Sequence, residues 1–244
     1  MATTTQFDSK TPNQEERIPF LENGDCLDGE EFLRRWEAMP EVKQAELVEG
    51  VVFMNAAQRF SYHGDQLLKI GYWLNCYVVE TPGTNCGGDC TVQFEENCIL
   101  QPDACLFLSP ELGGCCHIND EHFLEGSPEF ILEVSASSAS RDLNQKKKIY
   151  EECGVREYVV WNVLANKFVW YRRQENQFVE ISCDEQGCYQ SQVFPGLWLN
   201  ATAMLAGDLK SVRDTVIQGL ASSEHVQFNE KNSLLIRDAK GKDQ

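Results

Sequence analysis

Apolar positions along this chain recur with two periods, and the changes of period mark its elements. Asp28-Gly29-Glu30-Glu31 reads as a capping box ahead of an apolar face formed by Phe32, Leu33 and Trp36, and Pro40 ends that helix. Glu46 to Met54 reads as a strand pair or a bent strand broken at Gly50. His63 to Val78 has helical spacing through Leu67, Ile70, Leu74 and Val78, closed by Thr81-Pro82-Gly83. Strands are predicted at Thr91–Phe94, Ala104–Leu108 and Phe130–Val134, with an acidic, glycine-bearing surface loop between the last two. Arg141 to Glu152 is a second good helix with Gly154 beyond its end. Three strands follow at Glu157–Val163, Phe168–Tyr171 and Phe178–Ser182.

The remaining stretches frame a single domain. Residues 1–24 are polar and irregular and read as a flexible arm, 25–200 as the folded domain, 201–221 as one amphipathic C-terminal helix, and 222–244 as a charged, frayed tail. Helix, strands, helix, strands and helix in that order predict an α/β (α+β) domain with a central mixed β-sheet flanked by helices.

Composition narrows the function. With 244 residues the chain can bury a core without staples, and no apolar run is long enough to span a bilayer. Met1 to Lys10 lacks the apolar segment of a secretory signal, so no membrane association and a cytoplasmic location are expected. The eleven cysteines are an odd number, which argues against a disulfide scaffold. Cys86, Cys90, Cys115 and His117 could in principle assemble a zinc site, but reduced thiols acting as small apolar residues are the simpler expectation. The net charge of −17 argues against a protein that clamps nucleic acid tightly. The charge is unevenly spread, however. Glu95 to Glu133 holds nine acids and no Lys or Arg, whereas Arg141 to Arg173 holds eight basic residues against four acids.

The candidate chemistry lies in two acids set in apolar, strand-like runs. Asp103 stands in Gln-Pro-Asp-Ala ahead of Cys105-Leu106-Phe107-Leu108, and Glu133 follows Phe130-Ile131-Leu132. Ionised carboxylates are costly in such runs unless paired or bound to a metal. Carboxylates from neighbouring strands can converge on one divalent cation, and the lysine-bearing helix that follows could supply positive charge. Each residue also has a plain structural reading. Asp103 could be a turn residue after Pro102, and Lys146 one of a solvated Lys146-Lys147-Lys148 run. His63 could be a helix cap or a supporting histidine, and Tyr150 and Tyr158 core aromatics with a polar tip. Glu46 and Glu49, beside Gly50, are secondary candidates.

Several pieces in order resemble a known family. Glu46-Leu47-Val48-Glu49-Gly50, His63-Gly64, Pro102-Asp103, Glu133-Val134-Ser135-Ala136-Ser137-Ser138, Asp142-x3-Lys146-x3-Tyr150 and Gly154-Val155-Arg156-Glu157-Tyr158 are similar to the Uma-two endonucleases, a family expanded in cyanobacteria, over roughly residues 28–200. The resemblance implies a restriction-endonuclease-like core of the PD-(D/E)xK type and hydrolysis of DNA with Mg²⁺ or Mn²⁺. It implies Asp103 and Glu133, with the Val134 carbonyl, as metal ligands, and Lys146 as the active-site lysine displaced onto the helix. The parent pattern puts its lysine two residues past the glutamate, where this chain has Ser135. The family's usual Ser-Pro-Ser-Thr is here Ser135-Ala136-Ser137-Ser138. A homodimer, one subunit for each DNA strand, is a further implication. The competing expectations are a catalytically silent binding or assembly protein on the same fold, a zinc-stabilised protein, and, remotely, a two-carboxylate glycosidase.

Overall fold

The computed structural model describes residues 18–54, 59–136 and 138–242. The expected arm therefore lies outside the described residues up to residue 17. Helix α1 (Gly29–Glu37) starts at its predicted cap, the Asp28 carboxylate accepting the Glu31 N–H at 2.9 Å. The strands β1 (Ala45–Val48) and β2 (Val51–Met54) form a hairpin turned by Glu49 and Gly50, both with positive φ. Helix α2 (Gly64–Val78) follows, then β3 (Thr84–Gly88), β4 (Val92–Glu95), β5 (Cys98–Leu100), β6 (Ala104–Leu108), β7 (Cys116–Ile118), β8 (Leu124–Gly126) and β9 (Phe130–Ser135). The predicted second helix is three pieces in one run: α3 (Ala139–Arg141), a π-helical turn (Asp142–Lys146) and α4 (Lys147–Glu152). The chain closes with β10 (Glu157–Asn162), β11 (Lys167–Gln174), β12 (Gln177–Ile181), β13 (Cys188–Gln190), β14 (Trp198–Asn200), α5 (Ala201–Ala206), α6 (Leu209–Leu220) and α7 (Ser223–Lys242).

Two six-stranded sheets carry the fold, ordered β2-β1-β5-β4-β8-β7 and β12-β11-β10-β9-β6-β3. The second is the predicted mixed sheet: β9 and β10 run parallel, and its other pairs are antiparallel. β9 is buried on both faces, so it reads as a continuous apolar run, yet its parity sorts the side chains. Phe130, Leu132 and Val134 join a core with Trp73 of α2, Trp170, and Val212 and Val216 of α6. Ile131 faces the other way, into a core shared with Val48, Val92 and Leu100 of the first sheet and with Ile149 and Tyr150 of α4. A third cluster seats Phe32 of α1 against Ala45, Leu47 and Val52 on the far face of the first sheet.

The expectations fail in three places. The supposed surface loop between β6 and β9 carries β7 and β8, which extend the first sheet. The single helix expected over 201–221 is broken at Gly207, whose φ is 75°, into α5 and α6. Ser223–Lys242, within the stretch expected to fray, form α7. That helix is tied down at its start. His225 is buried, its ring nitrogens 2.8 Å from the Leu220 carbonyl and 3.0 Å from the Thr81 hydroxyl, while the Asn229 amide donates to the Glu80 carbonyl. Among the described residues no helix is long and apolar enough to cross a membrane.

Candidate active site between the sheets

The β6–β9 register pairs Ala104 with Leu132, so one step further sets Asp103 opposite Glu133. Residues directly opposed in an antiparallel pair lie on one face. Both carboxylates therefore look from the mixed sheet toward the first sheet. From that sheet β1 answers by alternation: Ala45 and Leu47 face α1, which turns Glu46 inward with Val48. The π-helical turn completes the enclosure. Its extra residue per turn buries both Asp142 and Lys146 over the end of β9, and such turns recur at functional sites.

The resulting contacts are short and charge-assisted. Lys146 Nζ donates to Glu133 Oε1 at 2.8 Å and lies 2.9 Å from Glu46 Oε1. Tyr150 donates its hydroxyl to the same Glu133 oxygen at 2.7 Å. Arg141, resting on the Phe53 ring, donates to Glu46 Oε2 at 2.8 Å. Asp142 accepts from the hydroxyls of Ser135 and Ser138, and its own carbonyl accepts from Tyr158. Asp103 takes the Val134 N–H at 2.6 Å on one oxygen, and His63 Nε2 stands 2.8 Å from the other.

The Pro-Asp pair gains a physical meaning here. Continuing the register one more step puts Pro102 opposite Val134, and proline has no N–H to give. The paired register ends at Ala104 and Leu132, and beyond it the Asp103 carboxylate accepts the Val134 N–H. The carbonyl of Val134, which points the same way along the strand, receives no ladder bond from position 102.

Electrostatically the site is acid-rich. Glu46, Asp103, Glu133 and Asp142 face two permanent cations, Lys146 and Arg141. Counted formally, with every carboxyl ionised and His63 neutral, four negative charges less two positive leave a surplus of two. Burial pushes the Glu133 carboxyl well above its ordinary pKa; Lys146 opposes this, while Asp103, Asp142 and Glu46 add to it. Glu46 goes the other way, because Lys146 and Arg141 together more than offset its burial. Burial alone would strip the Lys146 proton, but Glu133, Glu46 and Asp142 hold it on, and the amine stays charged. His63 is raised, chiefly by its hydrogen bond to Asp103.

The sequence candidates divide clearly. Asp103, Glu133, Val134, Lys146, His63 and Glu46 are brought together. Glu49 is not: it sits exposed in the β1–β2 turn. Lys146 is 5% exposed, whereas its neighbour Lys148 lies at the surface. The roles of Arg141 and of the π-helical turn were missed, and a sequence carries no signal for either. Tyr150 and Asp142, each four residues from Lys146 in the sequence, reach Glu133 and the Ser135 and Ser138 hydroxyls respectively.

The chemistry of the donors fits a hard divalent cation. Two carboxylates on one sheet face, a carbonyl without a ladder partner and a surplus of two negative charges are what Mg²⁺ or Mn²⁺ takes. Among the described residues, however, no group of three or more His, Cys, Asp or Glu side chains is arranged to hold a metal ion. That also sets aside the cysteine alternative. All eleven thiols are free, Cys115 contacts Arg156 at 3.4 Å, and His117 is exposed, so these residues do not gather with Cys86 and Cys90.

Comparison with known proteins follows the same line. The Uma2 family, described as "Putative restriction endonuclease", matches residues 30–202. The fold is similar to the crystal structure of "a putative nuclease belonging to DUF820" from Anabaena variabilis. That likeness has a TM-score of 0.53 at 13% identity and covers 78% of this chain and 99% of the other. No curated protein matches.

Proposed function

The chain belongs to the Uma2 family, and from that premise we propose that it is a Mg²⁺- or Mn²⁺-dependent endonuclease that hydrolyses DNA phosphodiester bonds. The observation that carries this reading is the acid surplus buried between the sheets, with one charged lysine inside it. Asp103, Glu133 and the Val134 carbonyl would hold the cation, which supplies Lewis acidity and an activated water when bound. The chain's own groups do the positioning. Lys146, kept protonated by Glu133 and Glu46, offers positive charge to the phosphate oxygens as charge develops on them. Tyr150 fixes the Glu133 carboxylate, His63 fixes Asp103, and Arg141 fixes Glu46. In the reaction a water oxygen bonds to phosphorus, the bond from phosphorus to the leaving sugar oxygen breaks, and that oxygen is protonated. Two copies of the chain, one for each strand, would make a double-strand cut.

A metal-dependent cleavage assay on plasmid and linear DNA, comparing the native protein with Asp103→Ala, tests the proposal. Cleavage that needs Mg²⁺ or Mn²⁺ and disappears in the variant is the expected result; equal cleavage by both proteins removes Asp103 from the mechanism. One observation favours the second reading, a catalytically silent member that binds or assembles. Each carboxylate of the site already has a protein hydrogen-bond donor, so the arrangement can stand without an ion. A native protein that neither binds Mn²⁺ nor cuts DNA would support that reading.

A further inference from the structure

Outside the acid cluster, the densest unassigned chemistry is a pair of sulfurs. Cys90 and Cys105 stand with Sγ atoms 3.5 Å apart. The strand register explains how they meet. β3 pairs with β6 so that Gly87 opposes Cys105, and the chain then turns through Asp89, whose φ is 49°, to bring Cys90 back over that position. Gly87 has no side chain to occupy the space. A Cβ built there would lie 3.3 Å from Cys90 Sγ and 3.6 Å from Cys105 Sγ, so the glycine leaves room for the two sulfurs to touch. Exposure divides the pair. Cys105 is fully buried, while Cys90 is only partly buried.

We propose that Cys90 and Cys105 form a peroxide-oxidisable dithiol, Cys90 being the sulfur attacked and Cys105 the one that closes a disulfide. Sulfurs already in contact need approach by only about 1.5 Å to reach a bonded separation near 2.05 Å. The steps balance. The Cys90 sulfur attacks one oxygen of hydrogen peroxide, the O–O bond breaks, and the departing hydroxide takes up the proton that Cys90 has lost. The Cys105 sulfur then attacks the sulfenic sulfur, the S–O bond breaks, and water leaves with the Cys105 proton. Two thiols and one peroxide become one disulfide and two waters.

The bridge would register at the acid cluster. Asp103 stands just ahead of β6, two residues before Cys105, and the Asp89 N–H, adjacent to Cys90, donates to the Asp103 carbonyl at 3.2 Å. Drawing Cys90 onto β6 therefore pulls on the backbone that aims the Asp103 carboxylate. This coupling rests on the nuclease reading above; the disulfide itself does not.

The test treats the full reduced chain with hydrogen peroxide and maps its thiols by mass spectrometry. No Lys or Arg lies between Lys69 and Arg141, so digestion after acidic residues is needed, and it puts Cys90, Cys98 and Cys105 on separate peptides. The expected product is one cross-link between the Cys90 and Cys105 peptides, reversed by dithiothreitol and absent in Cys90→Ser. Oxidation that leaves both thiols free, stops at a sulfinic acid on Cys90, or joins other cysteines overturns the proposal. Cys105→Ala provides a second check: if folded by circular dichroism, it should accumulate Cys90 sulfenic acid, trapped by dimedone, and no trapping counts against it. Oxidised protein should lose cleavage and regain it with dithiothreitol, while Cys90→Ser keeps cleaving through peroxide; a bridged protein that cuts as fast as the reduced one removes the coupling. Reduced protein that never cuts DNA refutes the activity and leaves the cross-link to be judged by mass alone.

Discussion

Two glutamates on adjacent strands of the same sheet are buried to the same degree and differ in everything around them. Glu157, at the start of β10, is fully enclosed, and every partner it has is a donor: Arg172 at 3.1 Å, the Ser191 hydroxyl at 2.6 Å and the Gln192 N–H at 3.0 Å. Burial raises its pKa and those donors pull it back. Glu133, near the end of β9, has Lys146 and Tyr150, but three further acids press on it as well. The first arrangement is locally balanced and needs nothing more. The second carries more negative charge than its cations cover. Burial alone does not separate these two carboxylates, and the charge left over after their partners are counted does.

The comparison can be broken most severely at Asp103. Replacing it with alanine should reduce metal-dependent cleavage by more than about a hundredfold while leaving the fold intact; gel assays with circular dichroism on the same samples check both halves. The next effect should fall on stability at the balanced site. Glu157→Ala strands Arg172, Ser191 and Gln192 and should cost about 3–5 kcal/mol in urea unfolding. Glu133→Ala should cost less, about 1–2 kcal/mol, the price of an unsatisfied Tyr150 hydroxyl. The smaller loss follows because Lys146 keeps Glu46 and the repulsion among the acids is relieved. Equal losses at the two sites would erase the distinction drawn between them.

The smallest effect is a pH dependence. His63 is raised by Asp103, so the folded protein binds its proton more tightly than the unfolded chain does. Its contribution is therefore fully present below the ordinary histidine pKa and lost as pH rises through the raised folded value. Thermal melts across that window should show native stability falling by about 1 kcal/mol relative to His63→Gln; parallel profiles would mean that the histidine is neutral throughout.

Much of this was legible from residues, for identifiable reasons. The long periodic runs that became α2, β6, β9 and β10 carried their own parity, and parity is what puts Asp103 and Glu133 on one face. Glu46 was harder to place, because its direction depends on the first sheet, whose strands carry little pattern. β7 and β8 in that sheet are three residues each, and β3 at the edge of the mixed sheet, Thr-Asn-Cys-Gly-Gly, has no alternation to detect. The helix α7 was misread because its sequence is charged and weakly patterned; what orders its start is contact with α6 and the end of α2, made by His225 and Asn229. The π-helical turn is likewise a consequence of packing. Nothing in Asp-Leu-Asn-Gln-Lys announces it, yet it buries Asp142 and Lys146 together.

The claim on which the rest depends is that the surplus charge between the sheets is there to receive a hard divalent ion. Isothermal titration of the metal-free protein with Mn²⁺ addresses it directly. One ion bound per chain, with the heat lost in Asp103→Ala, is the predicted outcome. A native protein that takes up no Mn²⁺, or a variant that binds it as tightly as the native chain, would contradict it.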